Sequence, residues 1–354
     1  MKAINLSTGL FSCLLITPAM GGGFDLLGQS NEALFETGRY VEFGVGFGSP
    51  NVGGQILAVG APFVSGDTAP TVPFFNGAFK ADINEQFSGA IIVDNPYGRA
   101  LEYDSGPLSG LSGNVESIAV TGLLRYKFTD RFSVFGGPRL QRMGGNTDIS
   151  VFVGGVPAGF GNVTFGDTWA AGYVVGAAFE IPEAHVLATI TYNSAINYDF
   201  DTSGAYGGTT DVETPQSVNV HIQAPISLST LLFATVRWAD WSEHTINPPG
   251  YPLGSLVHFN DTTTYRLGVV QMFSEQWAGF TSLTYEPSTD VSAEGPLDAT
   301  DGLWGATLGA IYTKDRVKIT TAISYHQFGD ASGSFGKFTD NDLVSAAVKL
   351  GYSF

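Results

Sequence analysis

From Val344 to Phe354 the chain alternates. Val344, Ala346, Val348, Leu350, Tyr352 and Phe354 are separated by Ser345, Ala347, Lys349, Gly351 and Ser353. One face is apolar and the other small or polar, with a period of two, which is a β-strand whose oily face meets an oily environment. The pattern recurs upstream. Ile118, Val120, Leu124 and Tyr126 alternate with Thr121, Arg125 and Lys127; Leu232, Ala234, Val236 and Trp238 with Thr235 and Arg237. Tyr265, Leu267 and Val269 alternate with Arg266, and Val317, Ile319, Ile323 and Tyr325 with Lys318, Thr320, Ser324 and His326. A charge facing lipid at mid-bilayer costs about 2–4 kcal/mol. Arg125, Arg139, Arg237, Arg266, Lys318 and Lys349 are therefore expected on the opposite, inner face. No stretch reaches about 18 uninterrupted apolar residues, which excludes helical spanning. Residues are 13% aromatic and only 14% charged, where about 25% charged is usual for a soluble domain.

The other end reads as an export signal. Lys2 is the only charge before residue 21, and it precedes the apolar run Leu10 to Ile16 and then Thr17-Pro18-Ala19-Met20-Gly21. A signal peptide is expected over residues 1–20. The only cysteine, Cys13, lies inside it; Leu10-Phe11-Ser12-Cys13 is a poor lipoprotein box, and apolar residues continue past it. The mature chain is thus expected to have no disulfide, no cysteine–metal site and no cofactor. A net charge of −17 argues against nucleic acid as a partner. The acidic loops either sit in the divalent-cation layer of lipopolysaccharide or simply keep the loops soluble.

Short turns recur at roughly 45-residue spacing: Ile83–Phe87, Phe128–Phe132, Ile181–Ala184, Ala224–Ser227, Phe273–Trp277 and Thr313–Arg316. Between them lie longer Gly-, Asp-, Asn- and Pro-rich segments, expected as loops: Gly53 to Pro73, Gly144 to Thr168, Thr202 to Asp211, Glu243 to Asp261, Ser288 to Asp301 and Gly329 to Asp340. Six short turns join twelve strands; a first strand near Tyr40 to Val52 and the last one make fourteen. Short turns on one side and long loops on the other is the outer-membrane arrangement. Closure satisfies the backbone in lipid, which an open sheet cannot do. The expectation is an all-β, fourteen-stranded antiparallel transmembrane barrel over residues 39–354, preceded by a short N-terminal plug at 21–38. A secreted β-sandwich or solenoid would also alternate, but would not place tyrosines and tryptophans at strand ends.

Several segments resemble the FadL/TodX family of outer-membrane transporters of long-chain fatty acids and other hydrophobic compounds. They are Gly28-Gln29-Ser30, Phe35-Glu36-Thr37-Gly38-Arg39-Tyr40, Asp94-Asn95-Pro96-Tyr97-Gly98, Thr191-Tyr192-Asn193-Ser194, Thr214-Pro215-Gln216-Ser217-Val218, Trp238-Ala239-Asp240-Trp241-Ser242, Asp261-Thr262-Thr263-Thr264-Tyr265 and Phe273-Ser274-Glu275-Gln276-Trp277. The resemblance implies a barrel blocked by a plug, a hydrophobic pocket beside it, and a lateral gap at a kink in the third strand. Asn95, Pro96, Tyr97 and Gly98 fall there. Pro96 cannot donate to a ladder and Gly98 weakens one; the same residues could instead only open an outer loop. The family's Asn-Pro-Ala plug element is missing, so the plug is expected to be short.

Candidate ligand residues follow. Phe24, Leu26 and Leu27 could line a pocket or pack the plug against the wall. Within Gly144 to Thr168, Val151, Phe152 and Phe160 join Ile149, Val153 and Val156 in an apolar run, either a capture surface or a continuation of strands above the bilayer. Arg125 and Arg237 could meet a carboxylate or pair with inner Asp and Glu. Trp238 and Asp240-Trp241 read as interfacial anchors. No catalytic residues are expected: His185, His221, His244, His258 and His326 fall in no recognisable motif, and none is at metal-ligand spacing. Passive inward carriage of a hydrophobic small molecule by a monomer is the leading expectation. Partners would be outer-membrane lipid, lipopolysaccharide and, through Phe354, the barrel-assembly machinery. A porin-like channel or a purely structural barrel are the alternatives.

Overall fold

The computed structural model describes residues 22–57, 62–153, 156–290, 292–295 and 297–354. The leader expected over 1–20, with Cys13, lies outside the described residues, as does the side chain of Val156.

Fourteen antiparallel strands close into a barrel. They are β1 (Tyr40–Asn51), β2 (Val72–Asp82), β3a and β3b (Phe87–Asp94, Gly98–Glu102), β4 (Ser112–Lys127), β5 (Phe132–Val153), β6 (Val156–Ile181) and β7a and β7b (Val186–Asn193, Ile196–Gly204). The remainder are β8a and β8b (Gly208–Thr214, Ser217–Pro225), β9 (Thr230–Ala239), β10 (Thr262–Met272), β11 (Trp277–Glu286), β12 (Leu303–Lys314), β13 (Val317–Phe328) and β14 (Asp342–Ser353). Closure is by β1, which pairs with β2 and, from Tyr40 opposite Ser353 to Asn51 opposite Asp342, with β14.

The alternation decides which way each strand faces. Leu124 is 50% exposed while Arg125 is 3%, and Leu267 is 60% while Arg266 is 6%. Arg139, Arg237, Lys318 and Lys349 are likewise buried, so all six expected inner cations point into the lumen. Two aromatic belts bound the lipid face. Phe87 against Tyr126, Phe132 against Phe179 and Trp277 against Tyr312 form the lower one, with ring centroids 4.9, 5.0 and 4.8 Å apart. Tyr265, Tyr285 and Trp304, in register across three strands, belong to the upper one. Trp277 and Tyr285 sit on one strand eight residues apart, about 20 Å along the normal for a tilted strand, close to the apolar band of such barrels.

The six tight turns fall where the sequence places them, and side-chain oxygens of Asn84, Thr129, Ser227 and Ser274 hold four of them. Asn84 Oδ1 accepts from the N–H groups of Gln86 and Phe87, and Thr129 Oγ1 from those of Arg131 and Phe132, the local bonding that makes Asn, Ser and Thr turn residues. The opposite end differs from expectation at two of the segments expected as loops. Thr202 to Asp211 is mostly strand, β7b and β8a pairing up to Thr202 opposite Gly208, and the second is longer. Gly144 to Thr168 is not a loop: β5 and β6 run on as a hairpin, Ile149 opposite Gly161 and Ser150 opposite Phe160, with register shifts at Met143/Gly145 and Val151/Phe152. Four short segments, Gly54–Ile56, Phe63–Val64, Ala331–Ser332 and Gly336–Phe338, form a small sheet that joins the loops after β1 and β13 over the mouth.

The lumen is filled from within. The 3-10 turn Glu32–Phe35 buries Leu34 among Ala78, Ile92, Leu123 and Phe135, and Phe233, Phe280 and Ile311 form a second inner cluster. Phe74, Phe135, Phe233 and Phe280 each lie over a glycine of the adjoining strand, at Gly46, Gly176, Gly268 and Gly309 respectively, where a Cβ would collide with the ring.

Candidate functional site

The wall is interrupted at β3. Asp94 faces Ala119 and Gly98 faces Glu116 on β4, so four steps on β3 answer three on β4. The extra residue is a bulge at Asn95–Tyr97, where Pro96 has no N–H to give. Below it β3a pairs with both neighbours; above it β3b pairs only with β4 among the described residues. Asn95 closes the lower edge through its side chain, accepting from Phe75 N–H at 2.7 Å and donating to Pro73 C=O at 3.1 Å.

The N-terminal segment occupies the inner side of this break. Leu26 N–H donates to Pro96 C=O at 2.8 Å and Gly98 N–H to Phe24 C=O at 3.0 Å, with Asp25 bridged to Tyr97. Phe24, Leu26, Pro96 and Tyr97 are buried, while Asn95, Gly98 and Leu27 are half-buried. A cavity of about 60 Å³ lies at the break, between Pro50, Val72 and Ala100 of the wall and Gly23 and Asp25 of the segment.

Polar contacts fix the segment in place. Asp25 takes a two-pronged contact from Arg237, Nε to Oδ2 and Nη2 to Oδ1 both at 2.9 Å, and Arg237 Nη1 also donates to Ser217 and Asn219. Arg99 Nη1 reaches Gly23 C=O at 3.3 Å, and Glu36 pairs with Lys318 at 2.8 Å. A small chamber of about 90 Å³ beside the segment is lined by Leu27, Asn219, His221, Thr235, Arg237 and Arg266, among others. Arg125 lies towards the turn-side end, stacked 4.5 Å over Phe35 and paired with Glu180. Both arginines that could meet a carboxylate are thus already engaged by protein carboxylates.

Above the segment the character changes. Phe24 meets Trp241, His244 and Phe259 edge-on, with centroids 6.1, 5.4 and 5.2 Å apart, and Tyr97 meets Trp241 at 5.6 Å. These rings form a floor. His244 Nδ1 bonds Glu213 C=O at 2.6 Å, and burial pushes its pKa down to about 4. In the same hydrophobic cluster, among the loop-end residues, lies a cavity of about 610 Å³, lined by Leu101, Tyr103, Leu108, Ile149, Phe152, Phe160, Tyr251 and Leu253 among others. That volume is within the range of small-molecule sites. On its wall His258 Nδ1 lies 3.2 Å from the buried Asp298 carboxylate, which burial raises to about 6 against the opposing hydrogen bonds of His258.

Phe152 and Phe160 therefore line the outer cavity, and Val151 shares their hairpin without joining the lining. Phe24 belongs to the floor and Leu26 to the break. Trp238 is partly exposed on the upper belt, but Trp241 is buried in the floor, correcting its reading as an anchor. The 3-10 turn Trp241–Glu243 ends the strand's alternation there. Tyr103, Leu108, Tyr251 and Phe259 were not legible as site residues, because loops carry no periodicity to mark an inward side. Among the described residues no group of His, Cys, Asp and Glu is arranged to hold a metal.

A closed membrane-spanning barrel with an apolar outer cavity, threaded inside by its own N-terminal segment, defines a class: outer-membrane transporters of hydrophobic compounds. The chain belongs to the family described as outer membrane protein transport protein (OMPP1/FadL/TodX), whose model matches residues 31–346. It is similar in structure to a Pseudomonas aeruginosa FadL homologue (17% identity, TM-score 0.76, covering 99% of this chain and 98% of that one). It is also similar to the Pseudomonas putida toluene transporter TodX (13%, 0.66, 100% of both chains) and the Ralstonia pickettii toluene transporter TbuX (15%, 0.63, 100% and 99%). At these identities the likenesses show the fold. No curated protein sequence matches the chain.

Proposed function

We propose that this protein carries hydrophobic molecules passively inward, from the outer cavity past the aromatic floor and out sideways through the β3 break into the outer membrane. The observation that carries this reading is the change of polarity along the lumen. Above Phe24 the cavity wall is mainly apolar, with Asp148, His258 and Glu294 among its polar members; below it stand the ion pairs Arg237 with Asp25, Lys318 with Glu36, and Lys349 with Glu42. An apolar ligand gains roughly 0.8 kcal/mol per buried CH₂ in the outer cavity and would lose that gain on displacing water or ion pairs below. The break at Asn95–Gly98 is the way out that avoids the polar belt.

Residues 21–38 act as the plug and 39–354 as the transporting barrel, after removal of a leader at 1–20. The protein works as a monomer without covalent chemistry, is inserted by the barrel-assembly machinery with Phe354 as part of the signal, and sits among lipopolysaccharide. Long-chain fatty acids and aromatic hydrocarbons both meet the demand of an apolar cavity. The test is uptake of a radiolabelled long-chain fatty acid and a labelled aromatic hydrocarbon beside a small hydrophilic sugar, in cells with and without the protein. Uptake of either hydrophobic probe without the sugar supports the reading. Sugar permeation alone would mean that the segment leaves a watery pore.

A further inference from the structure

Three cavities are linked by the residues they share. The outer one, of about 610 Å³, has Thr147, Leu256 and Leu297 in common with a smaller pocket of about 40 Å³. Met143, Phe165, Phe200 and Val212 are among the apolar walls of that pocket, and Arg99 is the charged residue of its lining among the described residues. Arg99 also lines the cavity of about 60 Å³ at the break. It belongs to β3b, next to Gly98 and just above the bulge. Its side chain thus stands between the apolar pocket and the opening in the wall.

Arg99 is held loosely where Arg237 is held firmly. Its Nη1 donates to Gly23 C=O at 3.3 Å, beyond the usual limit of about 3.2 Å for such a bond. No carboxylate bonds it directly among the described residues; Asp298 and Tyr103 act on its charge from farther off. Asp25, by contrast, takes two bonds at 2.9 Å from Arg237, and Lys318 holds Glu36 at 2.8 Å. Arg99 can therefore let go of Gly23 while those pairs keep the N-terminal segment in place. Its methylene stem can flank a passing apolar molecule while the guanidinium stays on a polar partner. Asp298, buried behind His258 on the wall of the outer cavity, is the carboxylate that draws the guanidinium away from Gly23.

Resting on the transport reading above, we propose that Arg99 is the gate residue between the apolar pocket and the β3 break and sets the rate of hydrophobic passage. With its guanidinium on Gly23 C=O the two cavities are separate. With the guanidinium turned towards Asp298 they join, and the N-terminal segment need not leave.

The test pairs two readouts: the initial rate of uptake of radiolabelled oleate and toluene, corrected for cells without the protein, and current through the full-length protein in planar bilayers. Arg99→Ala should raise the rate about fivefold for whichever probe the wild type carries, as loss of one hydrogen bond implies. Its current should stay as quiet as that of the wild type. Arg99→Met keeps the bulk without the bond and should also be faster, which covers poor assembly of the alanine variant. Asp298→Asn should slow uptake, and should change nothing when added to Arg99→Ala. Unchanged or slower uptake by the assembled Arg99 variants would overturn the proposal while the transport reading stands. So would noisy current, which would make Arg99 a clamp on the segment, or equal slowing by Asp298→Asn in both backgrounds. A wild type that carries neither probe faster than cells without the protein would overturn both.

Discussion

Arg237 shows how a residue's direction can be legible when its partner is not. Its place between Val236 and Trp238 on an alternating strand dictates that it points inward. Asp25 lies 212 residues away in sequence, in a segment without periodicity, and nothing local announces the pair. Breaking a buried ion pair from one side costs about 3–5 kcal/mol, because the remaining charge is left uncompensated. Arg237→Ala should therefore loosen the N-terminal segment while leaving the barrel wall closed, seen as larger and noisier currents in planar bilayers. Unchanged, quiet current would show that the clamp does not hold the segment. His244 offers a pH test of the floor. Its folded pKa of about 4 lies below the ordinary value near 6.5, so between these values the unfolded loop binds more protons than the folded one. The stabilisation is present above about pH 6.5 and is lost as pH falls towards 4. Quenching of tryptophan fluorescence by an added quencher should rise over that window, and His244→Gln should flatten the change.

At the scale of elements, local chemistry was legible and irregular chemistry was not. Each tight turn is set by a few consecutive residues, so all six could be placed from sequence. For Gly144 to Thr168 the sequence leaves loop and continued strand both open, because two register shifts, at Met143/Gly145 and Val151/Phe152, put Ile149, Val151, Phe152 and Phe160 out of a single period; the continued strand is what forms. The break in β3 was readable from Pro96 and Gly98, but the segment that fills it was not. This changes how the break can be tested. A Cβ on Gly98 would sit 2.7 Å from Leu26 Cδ1, so Gly98→Val disturbs the N-terminal segment as well as the wall. Ala100 on β3b lines the small opening without making those backbone bonds. Ala100→Phe should fill the opening and abolish uptake of hydrophobic probes, with the folded barrel still shifting on a semi-native gel. Normal uptake by correctly assembled Ala100→Phe protein would rule the sideways route out.

For the whole molecule, strand number and closure come from adding up local signals, while the filled lumen comes from contacts between residues far apart in sequence. Phe354 belongs to the first kind and separates assembly from stability. Its N–H donates to Arg39 C=O at 3.0 Å and its ring meets Tyr352 at 5.1 Å, yet it is 62% exposed. Deleting it removes little that holds the closed barrel together, since β1 and β14 remain paired from Tyr40 to Asn51. If the terminal aromatic serves recognition by the assembly machinery, deletion should lower the amount of protein in the outer membrane several-fold. The thermal midpoint of the protein that does assemble should shift by only a few degrees, as a change of about 1 kcal/mol or less implies. Both quantities come from one membrane preparation, by immunoblot of heated and unheated samples along a temperature series. Full membrane levels would show that the terminal aromatic is not read during assembly. A large fall in the midpoint at full levels would instead make Phe354 a structural clasp between the two ends of the barrel.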